Sequence, residues 1–183
     1  MTNILYIHGF GSDANLLTSQ TIRKELSTDF QVITHSFSND YGKFQAMIGN
    51  IEQAKELLKS KNIDLVIASS MGGFVGMGCT GITKILINPC MKPSEQLRLR
   101  IVPDISDEQL NEYRTFESFL LQNPEDVKQT YGLFSTKDEL FSYKDLFDTT
   151  YNPENSFSMD DTHRISIRSI RDVLVPLVYE IKS

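Results

Sequence analysis

Cysteine is scarce in this chain: Cys79 and Cys90 are the only two in 183 residues. They make neither a metal-type pair nor a disulfide framework, so packed free thiols in a reducing compartment are expected. Long apolar runs are missing as well. None approaches the roughly 20 residues that a membrane-spanning helix needs, so no membrane partner is expected. The opening Met1-Thr-Asn-Ile-Leu-Tyr-Ile-His-Gly9 has no basic segment, and its apolar run is too short for a signal peptide. The cytoplasm is therefore the expected location. Positive charge is in deficit: 18 Lys and Arg against 24 Asp and Glu give a formal net charge of −6, with no basic run. That balance disfavours a nucleic-acid partner, and a small neutral or apolar substrate suits it.

What is present is ordinary for a folded chain. Hydrophobic residues make up 40% and charged residues 23%, which argues against wholesale disorder. The length supports a single domain, 1–183, with a substantial core. No repeat, low-complexity tract or interdomain linker interrupts it, and the oligomeric state is not legible.

Short apolar runs alternate with helical periodicity. Residues 3–7, 31–36, 65–68, 84–88, 130–135 and 156–159 read as strands. Residues 15–26, 44–58, 73–79, 143–147 and 165–181 read as helices, with Pro176 a candidate kink in the last. This alternation implies an α/β architecture: βαβ units with right-handed crossovers, and a mainly parallel sheet flanked by helices on both faces. Residues 90–128 break the rhythm. They predict a small helical insertion after the strand ending near Asn88, with helical parts at 107–110 and 113–121. Two readings of it stay open, a small cap over the sheet's C-terminal edge or a pair of packing helices. Phe116, Phe119, Leu120 and Leu121 in it are candidates to line an acyl pocket, or form the buried face of a helix.

The chemistry concentrates where the apolar run Leu65 to Ala68 stops at Ser69-Ser70-Met71-Gly72-Gly73. A strand that turns sharply into a helix can hold a serine hydroxyl exposed at its apex, beside a base and near oxyanion donors. The residues two places either side of that serine must be small. Ala68 and Gly72 satisfy this for Ser70, whereas Ser69 would be flanked by Ile67 and Met71. Ser70 is the expected nucleophile. The glycine-rich loop His8-Gly9-Phe10-Gly11-Ser12 follows the first strand, and the N–H groups of Phe10 and Met71 are the candidate oxyanion donors. As a phosphate-binding turn the loop lacks the third glycine of the dinucleotide fingerprint, and no P-loop lysine follows it.

Of the three histidines, His8 belongs to this loop and His35 lies at a strand end, where a structural role is expected. His163 lies in a polar loop between the last strand and the last helix, the placement a general base needs. The orienting acid should follow the strand at 130–135. Asp138 is the first choice, with Glu139, Asp160 and Asp161 as rivals. The order Ser70, Asp138, His163 is the Ser…acid…His order of one hydrolase fold, unlike the chymotrypsin and subtilisin orders.

On Ile4-Leu-Tyr-Ile-His-Gly-Phe-Gly-Ser12, Ala68-Ser-Ser-Met-Gly-Gly73, Ile87-Asn-Pro89, Thr136-Lys-Asp-Glu139 and Asp161-Thr-His163, the chain resembles the α/β-hydrolase superfamily. It is most similar to the small YqiA-like esterases. The resemblance implies hydrolysis of small carboxylic esters through an acyl-enzyme, with Ser70 as nucleophile, His163 as base and Asp138 as acid. It implies oxyanion donation by the Phe10 and Met71 amides, and no metal or organic cofactor. An acyl thioester hydrolase and a non-catalytic binding protein that keeps the fold are the alternatives. Two positions depart from the usual pattern: Ala68 stands where glycine is common before the nucleophile, and Lys137 where glycine often precedes the acid.

Overall fold

The apolar runs become strands because both of their faces are covered. In the computed structural model of the protein, which describes residues 2–182, six strands form one all-parallel sheet. They are β1 (Thr2–Ile7), β2 (Phe30–Thr34), β3 (Ile63–Ser69), β4 (Lys84–Ile87), β5 (Thr130–Ser135) and β6 (Ser156–Met159), in spatial order β2-β1-β3-β4-β5-β6. Side chains alternate between two apolar layers. Leu5 and Ile7 enter the layer that holds Met47, Phe74 and Tyr113, while Ile4 and Tyr6 enter the layer of Ile22, Leu26 and Leu174. Ile4, Leu5 and Ile7 are fully buried, and each such side chain contributes about 1.5–3 kcal/mol.

The helices on one face are α1 (Leu17–Leu26) and the closing segment of α7 (Ile167–Ser169), a wide π-helical turn Ile170–Leu174 and α8 (Val175–Lys182). On the other face lie α2 (Phe44–Ser60), α3 (Met71–Met77) and α5 (Asp107–Gln122). Two short helices complete the set, α4 (Pro93–Gln96) and α6 (Lys144–Thr150). The strand order reverses direction between β1 and β3. In such sheets the crevice for a ligand opens at the carboxyl ends of the two strands flanking the reversal. The loops leaving β1 and β3 are the glycine-rich loop and the Ser70 turn.

Several boundaries differ from those expected. The strand read at 31–36 runs from Phe30 to Thr34, because the chain then turns inward and the Phe37 N–H bonds to the ring of His8. The helix read at 73–79 begins at Met71, directly after the nucleophile candidate. The pieces at 107–110 and 113–121 are one helix, α5. Ser106 caps it by accepting from the Gln109 N–H, and Asp107 and Glu108 suit its N-terminal dipole. The last helix is irregular at Ile170–Leu174 rather than at Pro176 itself. Proline has no N–H for the Asp172 carbonyl and its ring crowds that carbonyl, so the preceding turn widens and Val175 N–H bonds back to Ile170.

Cys79 and Cys90 are free and buried. Burial pushes the Cys79 thiol up to about 11 and the Cys90 thiol well above its usual range, so neither offers a thiolate near neutral pH. Among the described residues, no helix is long and apolar enough to cross a membrane.

Candidate active site

The turn after β3 holds Ser70 in a backbone conformation that most residues avoid, φ 53° and ψ −123°. Such strain costs on the order of 1–3 kcal/mol and persists only where the surroundings enforce it. Here they do. The Ser70 N–H donates to the Ile87 carbonyl at 3.0 Å, and the Ser70 carbonyl accepts from Gly73 and Cys90 N–H, each at 2.9 Å. Gly72 presses its Cα against the end of β1, where a Cβ would lie 2.6 Å from the Ile7 carbonyl oxygen. A side chain at 72 would drive α3 away from the sheet. Ala68 fits because its partner is small: a Cβ on Gly76 would lie 3.0 Å from the Ala68 methyl. The small-residue requirement usually met before the serine is shared here with α3.

The three segments that sequence order brings into question do converge. His163 Nε2 lies 2.9 Å from Ser70 Oγ, and His163 Nδ1 lies 2.8 Å from Asp138 Oδ2. An ionised carboxylate only accepts, so Nδ1 carries the proton and the Nε2 lone pair faces the hydroxyl. Both partners are largely shielded, with side-chain exposures of 11% for His163 and 3% for Asp138. The second Asp138 oxygen accepts from the Leu140 and Phe141 N–H groups at 2.8 and 3.0 Å. Burial raises the Asp138 carboxyl, but the His163 hydrogen bond and these two amides outweigh it and hold it below the usual carboxylate value. The Phe141 ring packs edge-on against the imidazole, 4.8 Å between centroids.

The rival acids do other work. Glu139 accepts from the His163 backbone N–H at 2.9 Å. Asp160 pairs with Lys137 at the surface, 2.7 Å. Asp161 receives the Thr162 and Ser166 N–H groups at 2.9 and 2.6 Å. Lys137 is not among the residues with positive φ, so glycine is not needed before the acid.

The glycine-rich loop is folded against the serine: a Cβ on Gly9 would lie 2.9 Å from Ser70 Cβ. His8 is buried and bridges the loop. Its Nε2 accepts from Phe37 N–H at 3.2 Å, and its Nδ1 lies 3.0 Å from the Gly9 carbonyl. Asn39 clamps the other side, accepting from Gly11 N–H and donating to the Ser12 carbonyl, both at 3.1 Å. Among the described residues, neither the Phe10 nor the Met71 N–H has a protein acceptor. His35 stacks edge-on with Phe37, 5.0 Å between centroids, and takes no part in the cleft.

Asn88 and Tyr6 lie in segments that carry the resemblance, but the sequence assigned neither a role. Asn88 has φ 42° and is buried. Its amide donates to the His163 carbonyl and to Ser135 Oγ, each at 2.8 Å, and its oxygen accepts from Ser135 N–H at 2.7 Å. It thereby ties the end of β4 to the loop that carries the imidazole. Its sequence signals were its place in the Ile87-Asn-Pro89 segment of the resemblance and a polar residue before Pro89, at a strand end. The Tyr6 hydroxyl lies 3.0 Å from Ser69 Oγ at the floor of the cleft. Replacing Asn88 by alanine is expected to lower kcat about tenfold with little change in KM. It should also cost about 1–3 kcal/mol of stability in a urea titration, since buried partners lose their bonds.

These elements enclose a cleft of about 450 Å³. Tyr6, Ser69 and Ile87 contribute from the strands, Phe10 and Met71 from the turns, and Leu140 and Phe141 from the acid's loop. The insertion contributes Gln96, Leu99, Arg100 and Ile101. It does not contribute Phe116, Phe119, Leu120 or Leu121, contrary to the acyl-pocket reading. Phe116 instead packs edge-on with Phe44 and Phe74, Leu120 is buried, and Phe119 faces a separate outer groove. The reason is geometric: α5 lies along α2 and α3, with the Phe44 N–H bonded to Gln109 and the Tyr113 hydroxyl to the Tyr41 carbonyl. From the insertion, the described residues that line the cleft are Gln96 at the end of α4 and members of the wide turn Leu97–Ile101. Among the described residues, no group of three or more His, Cys, Asp or Glu side chains could hold a metal ion.

Comparison with known proteins agrees with this architecture. A family model described as an uncharacterised protein family, UPF0227, matches residues 3–174. No curated protein matches the sequence significantly. Solved structures do match the fold. The esterase Est1E from Butyrivibrio proteoclasticus superposes with a TM-score of 0.76 at 14% identity, over 99% of this chain and 88% of that one. The α/β hydrolase domain-containing protein 10 from mouse gives 0.70 at 12%, over 98% and 90%. A monoacylglycerol lipase from Paleococcus ferrophilus gives 0.67 at 9%, over 98% and 94%. The fold is that of the α/β hydrolases.

Proposed function

This chain belongs to the uncharacterised protein family UPF0227, and from its site we propose that it is a serine hydrolase of small carboxylic esters. The observation that carries the reading is the continuous path from Asp138 Oδ2 through His163 to Ser70 Oγ, 2.8 and 2.9 Å, at the mouth of an enclosed cleft.

In this reading His163 Nε2 takes the Ser70 proton as Oγ attacks the ester carbonyl. The carbonyl oxygen becomes an anion and is met by the Phe10 and Met71 N–H groups, which have no protein acceptor to give up. The C–O bond breaks, and the alcohol leaves with the proton that His163 returns. His163 then takes a proton from a water molecule as its oxygen attacks the acyl carbonyl, and the same N–H groups stabilise the second oxyanion. Its collapse breaks the bond to Ser70 Oγ, which regains the proton from His163 as the carboxylic acid leaves. Asp138 keeps the imidazole in one tautomer and balances its positive charge. None of these steps needs a metal or an organic cofactor.

A panel of p-nitrophenyl esters and matching thioesters of graded acyl length, run on purified protein, tests the reading. Turnover of at least one series is the expected result. A cleft of this volume favours short and medium chains, so kcat/KM should fall steeply once the acyl chain outgrows it. Preference for thioesters would move the substrate class but keep the machinery. Inertness towards the whole panel, together with no labelling by a fluorophosphonate probe, would favour a binding protein that keeps the fold.

A further inference from the structure

The cleft's charge runs against that of the chain. The protein carries a formal net charge of −6, yet the residues lining the cleft include two arginines, Arg100 and Arg164, and no Asp or Glu. Arg100 reaches it from the wide turn of the insertion, Arg164 from the position directly after His163. Outside the cleft, Arg23 and Arg114 donate to the neutral Thr34 and Asn111 side chains, while three other exposed arginines are paired with carboxylates: Arg98 with Asp107 at 2.7 Å, Arg168 with Asp172 at 3.4 Å and Arg171 with Glu25 at 2.8 Å. The two in the cleft are not. Arg100 donates to the neutral Gln96 side chain at 3.0 Å, and among the described residues neither forms an ion pair. The two acids of the loop after β5 are engaged elsewhere: Asp138 is held by His163 and two amides, and Glu139 receives the His163 N–H.

Two guanidinium groups left without carboxylates in one concave, partly apolar site form a receptor for an oxyanion. Arginine presents a planar fork of donors that matches carboxylate or phosphate geometry, and low-dielectric walls strengthen the attraction. We propose that the substrate carries a carboxylate or phosphate group in addition to the reacting ester, and that Arg100 and Arg164 bind it. The proposal rests on the hydrolase reading above and names the substrate class for the same site. It departs from the small neutral or apolar substrate that suits the net charge, since binding responds to the local field rather than to the total.

The test uses matched esters. One probe, the mono-p-nitrophenyl ester of adipic acid, places a carboxylate at the end of the acyl chain. A second, a hexanoate ester of a carboxylated nitrophenol, places it on the leaving group. p-Nitrophenyl hexanoate is the neutral reference. The expected result is a kcat/KM about tenfold higher for one anionic probe than for the reference, mostly through KM and shrinking as ionic strength rises. In Arg100→Gln and Arg164→Gln that ratio should fall towards one. The ratio is internal to each protein, so a partly misfolded variant does not distort it. No preference for either anionic probe, or a preference that survives in the double variant, overturns the proposal while leaving the hydrolase reading intact. If no ester is turned over, the hydrolase reading fails, and calorimetry with hexyl phosphate decides the anion site separately. Binding that weakens about tenfold in either arginine variant supports the site, and equal binding by all three proteins overturns it.

Discussion

Ser70→Ala is expected to lower ester turnover by on the order of 10⁴-fold or more, with the folded structure kept. The size follows from what the hydroxyl does. Among the described residues, its Oγ alone combines hydrogen-bonding contact with the His163 Nε2 lone pair, at 2.9 Å, with a strained strand-to-helix turn at the cleft. In the proposed reaction no acyl-enzyme can form without it, and only slow attack by water beside the proposed oxyanion donors remains. Fluorophosphonate labelling of the wild type should vanish in the variant. Alanine keeps the Cβ, so the positive-φ strain at position 70 stays and the urea midpoint should move little. Ser70→Gly would remove the hydroxyl and the strain together, and should unfold at higher urea. Undiminished turnover in Ser70→Ala would remove this serine from the reaction.

Asp138→Asn should lower kcat by on the order of 10⁴-fold, whereas the same change at Asp160 or Asp161 should alter it by no more than about threefold. The asparagine amide would donate to Nδ1 and turn the imidazole to the tautomer whose Nε2 carries a proton. A protonated Nε2 cannot accept from Ser70. Asp160 meets only Lys137 at the surface, and Asp161 holds the Thr162 and Ser166 amides, so losing either charge leaves the imidazole's proton where it is. The reverse ranking would move the acid. A pH titration of stability reads the same carboxylate independently. The folded state holds the Asp138 carboxyl below the ordinary carboxylate value, so folding favours its ionised form. Its contribution is complete above that value and is lost as pH falls through the lower folded value. Asp138→Asn should therefore unfold less steeply on acidification below about pH 4 than the wild type does.

The Ser70 turn was legible in the sequence because its constraint is local. A residue two places after the serine must carry no side chain, and Gly72 alone in that register satisfies this. The parallel sheet was legible for a similar reason: runs such as Ile4 to Ile7 are apolar on both faces, and strands of that kind alternate with amphipathic helices. The order Ser70, Asp138, His163 narrowed the chemistry without measuring any distance. The choice of Asp138 over Asp161 depended on how two loops turn after β5 and β6. Sequence proximity to His163 would have favoured Asp161, which instead caps the loop before α7. The role of Asn88 was not legible, although Ile87-Asn-Pro89 helped carry the resemblance, because its bonds reach residues of β5 and the His163 loop, far along the chain. The insertion misled in the opposite way. Its aromatic residues look suited to an acyl pocket, yet α5 turns Phe116 towards Phe44 and Phe74.

The sequence by itself determined the α/β class, the strand-to-helix turn and the serine at its apex. Backbone sterics and hydrophobic periodicity act within a few residues, and one chain segment displays them whole. Only the tertiary structure decided which carboxylate reaches His163, what anchors the loops, and that an acidic protein opens a cleft lined by two unpaired arginines. Those outcomes depend on distances between segments that meet only when six strands align their carboxyl ends. Hydrogen bonds act over about 3 Å and screened charges over about 10 Å, so both follow that spatial neighbourhood and not the order of residues along the chain.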